Sequence, residues 1–505
     1  MSSQAISIGV DLGTSSTRAV ALDAEGNLRG AARVGAVPLG QRAGQGIAFD
    51  ALFESVLVAI AQALAEAGST PGQVAGVAIC GQMAGLCAVD ARGQALGPCD
   101  SWLDLDCAST LDLLRPHEDE IIQRSGSQLI AGHAAKWLQM REQQPERYRA
   151  VCKLTTPSAL VALQLAGLDG SEAFFDTTHL GFNNVADSPA ARWNLELVRA
   201  LGLDVAHLPR IVEPWERIGG LSSACAERLG LLPGTPIFAG CGDIAATLLG
   251  SAAFEDGQLL DIAGTGSVLC AVRRDFAVDR QHKTLLTLRH CLPDLYYSAG
   301  YVGGGGLNLD WLASLREQVR PPHEVSAALR EHGAAPPLLF APHMGGRHLP
   351  LAADRRGAFV GLSWQHSLAD LQRAMIEATA YEYAGFLDAM ATTGLRSGAG
   401  PVLVVGGGAA SEACSQIKAD VLGLPYRRHG VFEAAALGAA LLAGYGAGVF
   451  SDLREAALHA AGTPGGVVQP DPARHALYRQ RRQVQARMQA ALAPVFAELA
   501  QLPRI

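Results

Sequence analysis

Two short turns rich in glycine, threonine and serine have the composition of phosphate-binding loops: G-T-S-S at residues 13–16 and G-T-G-S at residues 264–267. Glycine lets the backbone approach a ligand closely, and successive backbone N–H groups with nearby hydroxyls form a concavity that binds anions. Each turn lies between two apolar runs that predict strands, so one copy alone could equally be an ordinary hairpin turn. Two copies, one in each half of the chain, predict a clamp that holds a polyphosphate from both sides.

An acid precedes only the first of these turns, because Asp11 corresponds to Ile262 before the second turn. A carboxylate beside phosphate groups is repulsive unless a cation lies between them, and Mg²⁺ prefers oxygen ligands while keeping several waters. Asp11 is therefore a candidate anchor for Mg²⁺ through a water molecule. The sequence contains no G-x-x-x-x-G-K-[ST] segment, which excludes a Walker-type phosphate loop.

A second acid, Asp243, follows a glycine-rich turn at the end of an apolar strand and directly precedes a helical segment. Such an acid could simply cap the N-terminus of the helix. It could instead be a general base that takes the proton from an attacking hydroxyl, as phosphoryl transfer to an alcohol requires. The second interpretation would place Asp243 opposite the phosphate clamp, at the junction of the two halves.

Further segments could bind a nucleotide or an acceptor molecule. The turn G-G-G-A at residues 406–409 follows an apolar strand and could receive a nucleotide, or form only a tight turn. Gln82 could hydrogen-bond a polar small molecule or be a satisfied interior glutamine. Trp102 offers an apolar face to a sugar whose hydroxyls Asp104 could accept, although Trp102 could equally be a core residue.

Apolar periodicity predicts strands in alternation with helices, which indicates an α/β fold. The repeated strand–turn–strand device suggests two duplicated domains rather than a solenoid. Residues 30–47 predict a Gly/Ala-rich connection, and residues 333–362 predict a long loop. The other expectations are strands at 6–10, 17–22 and 74–80, helices at 50–67, 136–148, 157–167, 368–390 and 469–500, strand–turn–helix segments at 234–252 and 402–423, and a strand–turn–strand segment at 259–272.

Composition argues against several classes of protein. The 505 residues exceed the size of a single core, and the net charge of −8 without a basic run argues against nucleic acid as a partner. The apolar stretch 431–450 contains Glu433 and glycines, so we expect a buried helix rather than a membrane span. The ten cysteines include no C-x-x-C pair, which fits a reducing cytoplasm and not a zinc site. The N-terminus lacks the features of a signal peptide.

These segments, in their order and spacing over nearly the whole chain, resemble those of the FGGY carbohydrate kinases, and within that family they are most similar to the xylulokinases. The resemblance implies two actin-like or Hsp70-like ATPase domains of the ribonuclease H type, with a cleft between them. We expect an N-terminal domain at residues 1–248 and a C-terminal domain at residues 249–505. The matching segments are "GVDLGTSSTRAVALD", "GQMAG", "SWLDLD", "GCGDIAATLLG", "GTGSVL", "GLNLDWL", "PHMGGRHLPLAADRRGAFVGL", "VLVVGGGAASEACSQIKADVLG" and "EAAALGAALLAG".

The resemblance also implies roles for individual residues in the ATP-dependent phosphorylation of a sugar. Asp243 matches the catalytic base, and Asp11 matches the position that holds Mg²⁺ through water. The positions that match the nucleotide site are Thr14, Ser15, Gly264, Thr265, Gly306, Gly407, Gly408, Ala409 and Ser411. The positions that match the substrate site are Gln82, Met83, Ala84, Trp102, Asp104, Asp243 and Ile244.

Three positions depart from the usual xylulokinase segments G-Q-M-H-G, W-x-D-x-R and G-G-G-D-N-A. Ala84 stands in place of the histidine, Asp106 in place of the arginine and Ile244 in place of the asparagine. All three are expected on the sugar side, where lost hydrogen bonds change discrimination by orders of magnitude. The nucleotide side is intact, so we expect ATP as the phosphate donor.

The acceptor is left open by these departures. A ketopentose such as D-xylulose, phosphorylated at its terminal hydroxyl, is the first candidate. The alternatives are another ketose such as ribulose or sedoheptulose, a polyol such as glycerol, or an aldonate such as gluconate. A non-catalytic actin-like ATPase or sugar sensor is a further alternative. We expect a cytoplasmic protein whose partners are the sugar and ATP, with no nucleic acid and no membrane, and which could form a homodimer.

Overall fold

Two mixed β-sheets with surrounding helices form the architecture of the computed structural model, which describes residues 5–35, 46–315, 336–395, 400–431, 433–463 and 465–503. In the first sheet, Ile6–Leu12 pairs antiparallel with Ser16–Leu22 and parallel with Val74–Gly81. The order of the six strands is Arg217–Gly220, Pro236–Phe238, Val74–Gly81, Ile6–Leu12, Ser16–Leu22 and Leu28–Gly35.

The second sheet repeats this arrangement. Leu259–Ala263 pairs antiparallel with Ser267–Arg273 and parallel with Val402–Val405. Both sheets therefore contain at least three successive antiparallel strands, next to two strands added in parallel and an antiparallel edge strand. Each G-T-x-S turn joins the two strands of its sheet that come first in the sequence. This confirms the predicted repeat. The strand order is Leu285–Arg289, Tyr296–Val302, Ser267–Arg273, Leu259–Ala263, Val402–Val405, Tyr426–Arg428 and Val467–Val468.

Helices and small strand pairs complete the described fold. The α-helices are Phe49–Ala67, Leu111–Leu114, Glu118–Ser125, His133–Gln143, Pro145–Ala150, Pro157–Ala166, Leu195–Ala200, Ser223–Leu229, Asp243–Gly250, Gly305–Ser314, Leu368–Thr392, Glu412–Leu422, Ala434–Gly446, Leu453–Ala460 and Pro472–Gln501. Small sheets pair Cys87–Val89 with Lys153–Thr155, Phe174–Asp176 with Arg210–Val212, Ala186–Asp187 with Arg192–Trp193, Leu339–Ala341 with Ala358–Val360, and Arg347–His348 with Leu351–Ala352.

Two expectations about irregular segments are wrong in part. Leu28–Gly35 is a strand that pairs with Ser16–Leu22, because a third strand can extend the hairpin despite its small residues. The expected loop contains four short strands between residues 339 and 360, which pair locally across its turns. Residues 36–45 and 333–335 lie outside the described residues. The expected helix at 136–148 is divided into His133–Gln143 and Pro145–Ala150, because Pro145 cannot continue the first helix. The other predicted strands and helices are present, with their ends shifted by a few residues.

Helix Ala434–Gly446 belongs to the second half of the sequence but packs against the first sheet. A Cβ on Gly9 would lie 2.1 Å from the Ala436 carbonyl oxygen, so helix and strand touch backbone to backbone. A Cβ on Gly438 would likewise lie 2.0 Å from the carbonyl oxygen of Ala246, in helix Asp243–Gly250. The predicted buried helix in 431–450 is confirmed. The domain boundary between residues 248 and 249 stays a prediction.

The structure bears on two further expectations, one about a membrane-spanning helix and one about the state of the cysteines. In the described part of the chain, no helix combines the length and apolar character needed to cross a bilayer. Cys87 and Cys99 form a disulfide, whereas the other cysteines are free. The expected reducing compartment does not account for this bond, and the compartment stays a prediction.

We expect Gly9→Ala to destabilise the protein by about 3 kcal/mol, because the new methyl group meets backbone atoms that cannot move independently. Denaturant unfolding of the full chain measures this change. Gly72→Ala is the matched control, since a Cβ there has no neighbour within 4 Å. Equal midpoints for the two variants would contradict the close helix–strand contact.

Candidate active site

The two G-T-x-S turns meet across the cleft between the sheets. Ser15 Oγ and Thr265 Oγ1 are hydrogen-bonded at 2.9 Å. Both turns line one cavity of about 280 Å³, which Asp11 and Asp243 also line. The structure thus brings together the two predicted halves of the phosphate clamp and both candidate acids.

Asp11 lies at the end of the first strand and is almost fully buried. Arg18 is its cross-strand partner, and Arg18 Nη1 donates to Asp11 Oδ2 at 3.1 Å. Arg18 also forms an ion pair with Glu433, which lies just before helix Ala434–Gly446. Burial raises the pKa of Asp11 to about 6, while Arg18 lowers it and Glu433 raises it further. Arg18 therefore offsets part of the negative charge that faces the phosphate turns.

Asp243 is the first residue of helix Asp243–Gly250, and the N-cap position belongs to Gly242. Asp243 is thus not the N-cap residue, although its Oδ1 accepts the N–H of Ile244 in the first turn of the helix at 2.8 Å. The turn before the helix is tight: Gly240 has φ +73°, and a Cβ there would lie 1.9 Å from the Ile79 carbonyl oxygen. Burial raises the pKa of Asp243 to about 7, and the nearby charge of Asp11 adds to the shift.

A buried histidine and its partners support the turn that carries Asp243. The backbone N–H of Gly242 donates to Thr178 Oγ1 at 2.9 Å, and Thr178 Oγ1 donates to Asp176. His179 Nδ1 contacts the other oxygen of the Asp176 carboxylate. Burial opposes protonation of His179, but Asp176 outweighs burial and raises the pKa of this imidazole. A cationic His179 lowers the pKa of Asp243 and so favours its carboxylate form.

The predicted nucleotide residues divide into two groups. Thr14, Ser15, Gly264, Thr265 and Gly407 line the cavity. The remaining four are not among the described residues that line it, and each supports a turn or helix instead. They are Gly306, whose N–H donates to the Gly264 carbonyl oxygen at 3.2 Å, Gly408 and Ala409 in the 3₁₀ turn Gly407–Ala410, and Ser411, which caps helix Glu412–Leu422.

The predicted acceptor residues Gln82, Met83, Ala84, Trp102 and Ile244 also line this cavity. The Trp102 indole N–H donates to Thr14 Oγ1 at 2.9 Å, which joins the acceptor side to the first phosphate turn.

Asp104 is absent from the described lining, and its Oδ1 accepts a hydrogen bond from the Asp106 N–H at 3.0 Å. Asp106 itself is exposed. Two of the three departures, Ala84 and Ile244, thus lie at the cavity and the third does not.

Sequence reasoning missed many residues that line the cavity, among them the polar side chains of Arg18, Glu433, Tyr301 and His348. Arg18 could have been found, because a hairpin with its turn at 13–16 places it opposite Asp11. Tyr301 and His348 gave no comparable signal, since their rings meet Trp102 only in the tertiary structure.

Comparison with models of protein families assigns both halves of the chain to one family. The model of the N-terminal domain of the "FGGY family of carbohydrate kinases" matches residues 6–250, and that of the C-terminal domain matches residues 260–447. The chain belongs to the FGGY family of carbohydrate kinases. The solved structure of a xylulose kinase from Rhodospirillum rubrum superposes with a TM-score of 0.82 at 22% identity, covering 97% of this chain and 100% of that one. The two-domain kinase fold is therefore confirmed.

Relatives with different names are equally similar to this FGGY kinase. A xylulose kinase of Escherichia coli (strain K12) is 29% identical over 84% of this chain and 86% of its own length. A glycerol kinase of Paenarthrobacter aurescens (strain TC1) is also 29% identical, over 89% of this chain and 90% of its own length. Overall sequence identity therefore does not distinguish the xylulose kinase from the glycerol kinase as the better match to this chain.

We expect Asp243→Asn to be more stable than the wild type at pH 8 in the absence of ligands. The folded-state pKa of about 7 lies above the unfolded value, so stability from the protonated carboxyl is lost as pH rises from about 4 to 7. The neutral amide avoids this cost, which is on the order of 4 kcal/mol at pH 8.

Denaturant unfolding at pH 8 and at about pH 4 measures this difference, which should fall to about 0.5 kcal/mol at the lower pH, where the folded state binds the proton and the unfolded state is about half protonated. Asp106→Asn is the control, because the Asp106 side chain is exposed. A wild type more stable than Asp243→Asn at pH 8 would contradict the burial of this charge.

Proposed function

We propose that this FGGY kinase transfers the γ-phosphoryl group of ATP to the terminal hydroxyl of a small carbohydrate, with Asp243 as the general base. The observation that carries the proposal is the position of the half-buried Asp243 in the cavity that both phosphate turns line, where desolvation raises its pKa to about 7. A base with a pKa near the working pH combines a populated carboxylate with a useful driving force for proton transfer.

The nucleotide side of the proposal rests on the two turns. ATP is the phosphate donor of this kinase family, and we propose that Thr14, Ser15, Gly264 and Thr265 contact its phosphates, with Gly407 nearer the nucleoside. Gly306, Gly408, Ala409 and Ser411 would then act indirectly, because they hold the turns and a helix end.

The donor set fits Mg²⁺ held mainly by water and phosphate oxygens. The described residues include no group of three or more His, Cys, Asp or Glu side chains that could enclose a metal ion. Mg²⁺ commonly binds through one or two carboxylates together with substrate phosphates, and Asp11 supplies such a carboxylate, which we propose acts through water. The ion would neutralise phosphate charge, while Arg18 holds the Asp11 carboxylate in place.

In the proposed reaction, Asp243 accepts the proton of the acceptor hydroxyl as that oxygen attacks the γ-phosphorus. The bond from the γ-phosphorus to the bridging oxygen breaks, and ADP leaves with the electron pair. Bound substrates, together with the apolar side chains beside Asp243, would exclude water from the cavity and so limit hydrolysis of ATP. Asp176 raises the pKa of His179, and His179 in its protonated form lowers the pKa of Asp243, which favours return of Asp243 to the carboxylate after each transfer.

The acceptor remains a choice among small polyhydroxy compounds. A ketopentose such as D-xylulose comes first because relatives named xylulose kinase match nearly the whole chain. A polyol such as glycerol is the second candidate because a glycerol kinase is equally similar. Membership in a kinase family gives no support to the alternative of a non-catalytic sensor. A homodimer stays a prediction.

We expect Asp243→Asn to lower kcat by at least about 10²-fold, because the amide cannot accept the hydroxyl proton. Nucleotide affinity should change little, since the turns are unaltered. A coupled ADP-release assay and calorimetric titration with ATP measure the two quantities, with Asp106→Asn as control. Turnover close to that of the wild type would refute the assignment of the base.

We also expect kcat/KM to rise with pH and level off above about 7, because only the carboxylate form of Asp243 accepts a proton. Rates measured from about pH 5 to about pH 9 at constant ionic strength give this profile. A flat profile would show that no group titrating near neutrality is required.

A further inference from the structure

The cavity wall beside Asp243 is formed by apolar side chains. Met83 packs against the turn before the base, because a Cβ on Gly242 would lie 2.5 Å from Met83 Cε. Ala84 and Ile244 line the cavity together with Met83, and Ile244 directly follows the base. None of these three side chains can form a strong hydrogen bond with a sugar hydroxyl.

The apolar wall continues beyond these three residues. Ile130 and Leu349 are buried in the same hydrophobic core as Met83, and Phe182 packs against that core. All of them also line the cavity. An acceptor molecule that reaches Asp243 therefore contacts several hydrocarbon groups.

Polar groups near this wall are largely used within the protein. Lys136 Nζ donates to the carbonyl oxygens of Ala84 at 2.9 Å and Ser101 at 2.6 Å. The Trp102 indole N–H donates to Thr14 Oγ1. Neither the ammonium group nor the indole is therefore available to an acceptor without breaking an existing hydrogen bond.

Three polar side chains can still bind an acceptor. The Tyr301 hydroxyl is buried and has no hydrogen-bond partner in the part of the chain that the structure describes. The His348 ring lies 5.2 Å from the Tyr301 ring, and burial lowers the pKa of His348 to about 4, so the imidazole is neutral. Gln82 Oε1 accepts only a long hydrogen bond of 3.4 Å from Ser101. Together, these three side chains can form hydrogen bonds with two or three polar atoms of an acceptor molecule.

We propose that the preferred acceptor is a deoxy or C-methyl sugar or polyol, which turns an alkyl segment toward Met83, Ala84 and Ile244 and its terminal hydroxyl toward Asp243. This inference rests on the proposed function. A hydroxyl against those side chains would lose its partners in water, which weakens binding roughly tenfold or more. A methyl or methylene group in the same place gains from leaving water.

Two matched pairs of acceptors test the inference with the full chain, ATP and Mg²⁺. The first pair is D-xylulose and 1-deoxy-D-xylulose, and the second is erythritol and 2-C-methyl-D-erythritol. We expect kcat/KM for the alkyl-bearing member to exceed that of its partner roughly tenfold or more in at least one pair. Smaller ratios in both pairs would overturn the inference but leave the kinase function intact, because transfer still occurs. No transfer to these compounds, D-ribulose, glycerol or D-gluconate would overturn both.

Two variants test whether this wall causes the preference. Ile244→Asn and Ala84→Ser each add a hydrogen-bonding group, so the preference for the alkyl-bearing acceptor should fall roughly tenfold. Val58→Asn is the control, because Val58 is exposed on helix Phe49–Ala67, outside the described lining of the cavity. A preference that is unchanged in both wall variants would contradict the role of these residues.

Discussion

Close backbone packing around helix Ala434–Gly446 is the constraint on which the candidate site depends. This helix touches the first strand at Gly9 and helix Asp243–Gly250 at Gly438, where any larger side chain would overlap backbone atoms. Asp11 is the next-to-last residue of that strand, and the second helix begins with Asp243. Strand Val74–Gly81 also joins the two segments, because it pairs with Ile6–Leu12 and forms a bridge to Gly242. Two acids far apart in sequence therefore line the same cavity.

Bringing two carboxylates into one buried cavity has an electrostatic cost. Burial raises the pKa of both acids, and the charge of Asp11 further disfavours ionisation of Asp243. Arg18 offsets part of this cost at Asp11, whereas the Ile244 N–H, which donates to Asp243 Oδ1, and the charge of His179 offset part of it at Asp243. Ionised Asp243 therefore lowers the free energy of unfolding, and the same residue is the base in the proposed reaction. Acids with perturbed pKa values are common at functional sites.

Donor and acceptor sides of the cavity differ in what fixes their properties. The proposed donor side consists of glycine-containing turns whose backbone geometry a short sequence pattern is sufficient to recognise. The proposed acceptor side contains individual side chains, such as Ala84 and Ile244, that differ from the family pattern. Two relatives of equal sequence identity are named for different acceptors, so overall identity does not identify the acceptor.

The sequence by itself determined the repeated hairpins, the α/β class and the buried helix in 431–450, and it identified Asp11 and Asp243 as candidate site residues. All of these depend on local periodicity and on short motifs. It failed at Leu28–Gly35, where small residues hid a strand that exists through pairing with its neighbour. The roles predicted for Asp104 and Ser411 stay predictions, and in the structure their side-chain oxygens accept the N–H groups of Asp106 and Cys414.

Only the tertiary structure placed Tyr301 and His348 beside Trp102. It also placed the apolar side chains of Met83, Ala84 and Ile244 in the same cavity as Asp243. Contacts between segments hundreds of residues apart depend on how the two sheets pack, which no local pattern encodes.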